Sequence, residues 1–318
     1  MTNHQATMRA MQQAEWGLEM LKLVDVPRPE PLPTEVLVRV KAVGVNLVDH
    51  HTVFGRGYMN ALSLPHIPGW DIAGVVEQIG YGATRFKIGD EVFGLPRFPR
   101  AAGGFAEYIT APARQLALKP TAISFEQAAG VALSGLTAWQ MLVDAGKVGP
   151  GTKVLINGAA GAVGHFAVQV AKSLGAFVIA VARKETHEFL KGLGADRLID
   201  YTTSVVADEV KDADVVIELV GGDTCIQMLK TPRKGGLLVS ARNFPNIAEI
   251  KEAASKLDVH GSWFMVEPDY VGLDQLAALI QRGSLKVEIS HVFPLERAVE
   301  ALETIGRGAA GKTVIKVS

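Results

Sequence analysis

A strand-like run, Val154-Leu155-Ile156-Asn157, passes into Gly158-Ala159-Ala160-Gly161-Ala162-Val163-Gly164 and then into a helical pattern through Phe166-Ala167-Val168-Gln169-Val170-Ala171. Small residues in such a turn let phosphate groups approach the backbone. The unpaired N–H groups at the start of the helix, together with its dipole, favour negative charge there. The chemistry this suits is the binding of a dinucleotide pyrophosphate at Gly158, Ala160, Gly161, Ala162, Val163 and Gly164. Ala159 stands where the dinucleotide fingerprint has its first glycine, while Gly161 and Gly164 fill the later positions. The competing reading is a tight turn that packs helix on strand and holds nothing. Placement between a clear strand and a clear helix favours the dinucleotide.

Which dinucleotide binds is decided where the second strand of such a unit ends. NAD sites usually carry Asp or Glu there, to hold the ribose hydroxyls. Here Val181-Ala182 runs into Arg183-Lys184, a cationic pair able to grip the extra phosphate of NADP(H) through charge-assisted hydrogen bonds. A solvated turn is the plain alternative for the pair, and the adjacent Glu185 leaves NAD open.

These groups need a scaffold, and the chain supplies two kinds. From Glu35 come short β-rich runs, Val36–Val40, Ile72–Val76 and Glu91–Gly94, punctuated by Gly, Pro and Asp as in a partly open barrel. Pro27, Pro29, Pro31, Pro33, Pro65, Pro68, Pro96 and Pro99 disfavour long helices in this part. After Ser124 the pattern changes. Residues 125–145 are predicted helical with an interruption at Gly135. Strands are then expected over 153–157, 177–182, 197–201, 213–220 and 236–241, with helices over 162–174 and 186–192. Such alternation predicts a parallel sheet covered by helices on both faces, and the apolar runs Val178–Val181 and Val215–Ile217 suit strands buried on both sides. The last 50 or so residues return to mixed α and β and end in a strand over 313–317.

Bulk properties narrow the class. A chain of 318 residues is long enough for two domains. Its 48% hydrophobic and 20% charged content fit a globular protein, and a net charge of -1 gives no electrostatic reason to expect nucleic acid or an anionic membrane as partner. No secretory leader or membrane-spanning apolar run is read, so a cytoplasmic protein is expected. The one cysteine, Cys225, cannot form an intrachain disulfide or a cysteine-rich zinc site, and is read as a small buried hydrophobe.

Further segments extend the pattern over nearly the whole chain: Gly44-Val45-Asn46-Leu47-Val48-Asp49, Pro65-His66-Ile67-Pro68-Gly69-Trp70-Asp71-Ile72-Ala73-Gly74, Gly103-Gly104-Phe105-Ala106-Glu107-Tyr108 and Gly135-Leu136-Thr137-Ala138-Trp139. In this order they resemble the medium-chain dehydrogenases/reductases, and Val-Asn-x-x-Asp is typical of their quinone oxidoreductase (zeta-crystallin) group. The resemblance implies an α/β fold in two parts. A GroES-like partly open β-barrel catalytic domain is built from residues 1–125 and 266–318. A Rossmann doubly wound sheet spans 126–265, with the active site in the cleft.

The departures from the zinc enzymes of this superfamily carry information. Those enzymes place a catalytic Cys where Asn46 stands and a His-Glu pair where Trp70-Asp71 stand, and they add a later cysteine ligand. Catalytic zinc needs about three protein ligands plus a water, and Asn46 with Trp70 cannot supply them. His50, His51 and His66, the nearest imidazoles, do not reproduce the arrangement, so no metal is expected.

The resemblance also implies that Asn46 and Thr137 lie beside the nicotinamide and that Tyr201 lies near the NADP phosphate, with a packing role as its alternative. Val220 and Gly221 would approach the nicotinamide side, and Asn243, Phe264 and Met265 match later cofactor-contacting stretches. Ala241-Arg242 stands where the family usually has Phe-Gly. Homodimerisation through the edge of the Rossmann sheet is implied too.

Hydride transfer to a quinone or enone puts negative charge on an oxygen, which organic donors must stabilise when no Lewis acid is at hand. Asn46 is the first candidate, to orient the carbonyl and the nicotinamide. His51 is the second: it stands where the family often has Tyr and the zinc enzymes a proton-relay His, and an imidazole titrates near neutral pH. A surface histidine or a ribose contact is its alternative. The expected activity is NADPH-dependent, metal-free reduction of a quinone. The rivals are enone or alkenal double-bond reduction and, from another class, a nucleotide-binding regulatory or structural protein with little activity.

Overall fold

A computed structural model describes residues 6–242, 247–306 and 310–317. Strands β1 (Thr7–Gln13), β2 (Leu21–Pro27), β3 (Glu35–Val45), β4 (Asp71–Ile79), β5 (Glu91–Gly94), β6 (Tyr108–Pro112) and β7 (Leu116–Leu118) come first. They are followed by β8 (Lys153–Asn157), β9 (Phe177–Val181), β10 (Arg197–Ile199), β11 (Ala213–Glu218), β12 (Pro232–Ser240), β13 (His260–Trp263), β14 (Ile289–Pro294) and β15 (Lys312–Lys316). The helices that position the site are α1 (Leu47–Val53), α2 (Phe125–Ala129), α3 (Ala132–Gln140), α4 (Gly164–Ser173) and α5 (His187–Gly192).

The chain divides into two compact units. The first holds residues 1–136, 267–282 and 287–318; the second holds 137–266 and 283–286. The first unit runs past the expected boundary at residue 125 because α2 lies against β3 and β4.

In the first unit a seven-stranded sheet runs β14-β15-β3-β4-β5-β7, with β6 paired to β3, and a separate β1-β2 hairpin pairs antiparallel. Its pairs are antiparallel except β14 with β15. The main core of this unit includes Val36, Val38, Ile72, Phe105 and Leu116, and β3 at its centre is buried along most of its length rather than on one face alone.

In the second unit six parallel strands run β10-β9-β8-β11-β12-β13. Numbered from its own first strand, this is the order 3-2-1-4-5-6, the doubly wound arrangement whose ligand crevice opens where the order reverses, between β8 and β11. Val154–Ile156, Val178–Val181 and Val215–Ile217 are all buried, in keeping with strands covered on both faces. Cys225 is buried as a small apolar residue, and burial pushes its thiol up to about 12.

Two local expectations are corrected. The break in the 125–145 helical region falls at Gly130, not Gly135. Ser124 caps α2 by accepting from Gln127 N while its own N–H donates to Gln127 Oε1, and the helix closes with Gly130 N–H bonded back to Glu126 and Gln127 carbonyls. Gly135 instead lies inside α3, where a Cβ would stand 3.0 Å from Leu276 Cδ1 and 3.1 Å from Val131 Cγ1. It is a packing glycine. The helix predicted from Ala162 begins at Gly164, because the turn before it uses two more residues than the pattern suggested.

Candidate active site and cofactor cradle

In the second unit the expected turn leaves β8 at the switch point. Gly158 takes φ +82°, a conformation glycine adopts without strain. Gly164 has a different reason: a Cβ there would stand 2.3 Å from Gly158 O and 2.5 Å from Ala159 O, so only glycine lets α4 start this close to the turn. At Gly161 a Cβ would meet Gly158 O at 3.4 Å and nothing else within 4 Å. Gly161 is exposed, and no close contact within the fold requires a glycine there. Among the described residues no backbone acceptor takes the N–H of Ala160, Ala162 or Val163. Open amides at the start of a ten-residue helix make a cradle that fits an anion.

Arg183 follows β9 and Tyr201 follows β10, the neighbouring parallel strands. Arg183 Nε donates to Tyr201 Oη at 2.7 Å. Tyr201 is half exposed, so the packing alternative does not describe it. Arg183, Lys184 and Glu185 are all exposed at the strand end. The strand expected to reach Tyr201 stops at Ile199, since Asp200 Oδ1 accepts from Thr202 N and turns the chain.

The loop after β11 is held from below. Glu218, fully buried at the end of that strand, accepts from Val220 N at 2.6 Å and Gly221 N at 2.8 Å through one oxygen, and from Asn157 Nδ2 at 2.7 Å through the other. Burial pushes its carboxyl up, against the lowering pull of Asn157 and the two amides. One carboxylate thus ties the end of β8 to the loop carrying Val220, Gly221 and Gly222. Sequence reasoning missed Glu218. Half-buried Phe264 and Met265 follow β13, with Phe264 N bonded to Ser240 O. Thr137 is buried in α3. Asn243 lies outside the described residues. Gly158 to Gly164, Arg183, Lys184, Tyr201, Val220, Gly221, Phe264 and Met265 therefore share the carboxyl ends of one parallel sheet.

In the first unit, Asn46 ends β3 and starts α1. The register brings Asp71 of β4 opposite Gly44 and Thr313 of β15 opposite Val45, so three strands deliver Asn46, Asp71 and Lys312 to one point. Asn46 is 6% exposed, and its carboxamide is engaged on every side. Nδ2 donates to Gly44 O and to Asp71 Oδ2, both at 3.3 Å, and Oδ1 accepts from Lys312 Nζ. The expectation of a free amide donor is thereby modified: Asn46 offers a fixed position. Its backbone N–H donates to Asp49 Oδ2 at 2.7 Å and secures the first turn of α1.

Asp71 is fully buried. Its Oδ1 accepts from Leu133 N at 3.2 Å, and its Oδ2 from Lys312 Nζ at 3.3 Å. Lys312 Nζ also donates to Ser134 Oγ at 3.2 Å. Burial pushes the Asp71 carboxyl up and the Asp49 carboxyl up to about 7; nearby Lys312 lowers both. His51 sits half-buried on α1, its ring 6.0 Å from that of His50.

The residues at the zinc-ligand positions do not fit a metal. Trp70 spends its indole N–H on Arg100 O at 2.7 Å and packs on Phe98. Asn46 and Asp71 are already engaged, bonded to each other and both to the Lys312 ammonium. His66 is buried, and desolvation lowers it to about 4. Among the described residues no group of three or more His, Cys, Asp or Glu is gathered for a metal.

Residues 32–121 match the alcohol dehydrogenase GroES-like domain, and residues 193–315 match a family described as zinc-binding dehydrogenase. The quinone oxidoreductase of Pseudomonas aeruginosa is 35% identical over 94% of this chain and 96% of its own. The human quinone oxidoreductase is 31% identical over 99% of both. This chain belongs to the quinone oxidoreductase family. The solved quinone oxidoreductase of Coxiella burnetii superposes with a TM-score of 0.92 at 35% identity, over 98% of this chain and all of that one. A member of this family is an oxidoreductase of the medium-chain type served by a nicotinamide dinucleotide, and the α/β architecture follows the GroES-like and Rossmann pattern. No helix among the described residues is long and apolar enough to cross a membrane.

Proposed function

We propose that the protein reduces a quinone with NADPH and uses no metal. The observation that carries the cofactor reading is the Arg183–Tyr201 hydrogen bond at the ends of β9 and β10, with Lys184 beside it. It holds a guanidinium where an NAD site would place an acid, with a phenol from the end of the next strand beside it, and together they suit a ribose phosphate. When bound, the dinucleotide would supply a hydride. The amides of Ala160, Ala162 and Val163 would hold its pyrophosphate, with Glu218 keeping the Val220-Gly221 loop in place and Thr137, Phe264 and Met265 available to complete the binding. For the acceptor, the reading leans on relatives named as quinone oxidoreductases.

Charge that develops on the acceptor oxygen needs a proton. His51 is proposed to donate or relay it, with Asn46 fixing the start of the helix that carries His51. Metal-free chemistry is favoured by the Lys312 ammonium bonded to both Asn46 and Asp71. The same reading takes the protein as a cytoplasmic homodimer, joined through the edge of the Rossmann sheet. Sedimentation at micromolar concentration tests the dimer.

The deciding experiment is an NADPH-oxidation screen over ortho-quinones, para-quinones, enones and alkenals, with and without a chelator. Quinone turnover unaffected by the chelator is expected. Turnover confined to enones or alkenals, or abolished by metal removal, sinks the reading. A His51→Phe variant with unchanged kcat and pH profile removes His51 from the proton step.

A further inference from the structure

Lys312 is the least expected group in the first unit. Its side chain has no solvent exposure, and neither does that of Asp71, its ion-pair partner at 3.3 Å. Every acceptor around its ammonium comes from a distant part of the chain: Asn46 Oδ1, Asp71 Oδ2 and Ser134 Oγ. An ammonium taken wholly out of water costs free energy that its pairing with Asp71 must offset, so a buried ion pair is poor evidence of a gain in stability. What it does supply is direction. A carboxamide can rotate about its last bond to exchange its oxygen and nitrogen ends. With Lys312 donating to one end and Asp71 accepting at the other, only one orientation of Asn46 satisfies all the partners.

We propose that Lys312 is a positioning residue for the reduction: it locks the Asn46 carboxamide and, through it, the start of the helix that bears His51. The coupling is short. Asn46 O accepts from His50 N at 3.3 Å, and Asn46 N donates to Asp49 Oδ2, so a displaced Asn46 shifts the first turn of α1. The proposal rests on the reading of Asn46 and His51 as groups that serve the acceptor, and it adds a residue that nothing in the sequence marks.

A purely structural role predicts that Lys312 matters only as the counter-charge of Asp71. Removing both charges then restores everything, because a buried pair can be exchanged for neutral groups at little cost while half a pair cannot. The test compares Lys312→Met with the double variant Lys312→Met/Asp71→Asn. The single variant is expected to lose roughly 10 °C of Tm. The double variant is expected to recover most of that loss and to bind NADPH, titrated by its fluorescence, as the wild type does. Its kcat on the best quinone is nevertheless expected to stay about 100-fold down, the scale of a displaced catalytic group, with the KM for NADPH little changed. Wild-type kcat in the double variant overturns the proposal.

A second measurement needs neither a variant nor turnover. In labelled wild-type protein, the Lys312 ammonium and the Asn46 side-chain amide are expected as slowly exchanging NMR signals joined by a cross-peak. Rapid exchange of either, or no cross-peak, also overturns the proposal. A wild type that oxidises NADPH with no quinone would refute the proposed function, and these signals would still judge Lys312.

Discussion

Tyr201 and Arg183 stand at the ends of adjacent parallel strands, and the phenol accepts a 2.7 Å hydrogen bond from the guanidinium Nε. The bond leaves the outer guanidinium nitrogens to point elsewhere, with the arginine already oriented. Arg183→Ala is expected to weaken kcat/KM for NADPH by roughly 10- to 100-fold and to leave that for NADH nearly unchanged. Tyr201→Phe should show the same selectivity with a smaller loss. Parallel steady-state kinetics with the two dinucleotides decide it; an equal loss on both would remove the pair from phosphate recognition.

Gly161 and Gly164 should part company when each is changed to alanine. A Cβ at Gly164 runs into backbone atoms of Gly158 and Ala159 that cannot retreat singly, so Gly164→Ala is expected to cost ~1–3 kcal/mol of stability and to abolish dinucleotide binding. Gly161→Ala meets no such obstacle inside the protein. It should keep the wild-type Tm and still bind NADPH at least tenfold more weakly, by the close-approach argument for pyrophosphate sites. Calorimetry and fluorescence titration on the two variants suffice.

Glu218 accepts three hydrogen bonds and donates none. In Glu218→Gln one end of the side chain must become a donor facing another donor, at a cost of ~1–3 kcal/mol for a buried mismatch. Adding Asn157→Asp reverses the polarity of the partner and should recover most of both the stability and the NADPH affinity. A double variant no better than the single would show that Glu218 does not act through Asn157.

Two buried groups should bend the stability profile in opposite directions. His66 is neutral in the fold, with its value lowered to about 4 by burial, whereas an unfolded histidine titrates near ~6.5. Its contribution is present above the unfolded value and is lost as pH falls from there towards 4, by up to ~3 kcal/mol. Asp49 is raised to about 7, from ~3.9 in an unfolded chain, so its contribution is present in acid and is lost as pH rises through 7. His66→Phe should flatten the acid limb of Tm against pH, and Asp49→Asn the limb between about pH 4 and 7. Unchanged limbs would contradict the burial of these groups.

The second unit was open to reading because its signals are local. Strand, turn and helix around Gly158 follow one another in the chain, and Arg183 is the next landmark after the following strand. The network of the first unit was not. Lys312 and Lys316 belong to the same short strand, yet one is buried and the other exposed, and nothing in their own surroundings separates them. Only the pairing of β15 with β3, across most of the chain, brings Lys312 to Asn46. Glu218 at the end of an apolar strand was a visible anomaly, since an acid there must find partners. Gly135 was misread because a glycine within a helical pattern can serve close packing as well as termination.

The interleaving of the two units orders their assembly. β3 finds its neighbour β15 only after the whole stretch from Thr137 to Val266 has been made, whereas the parallel sheet draws nearly all its residues from that one continuous stretch. Loop-closure entropy makes such a distant pairing slow unless the intervening chain has already collapsed. The dinucleotide half is therefore expected to mature first during synthesis, and the polar knot around Asn46 to be tied last.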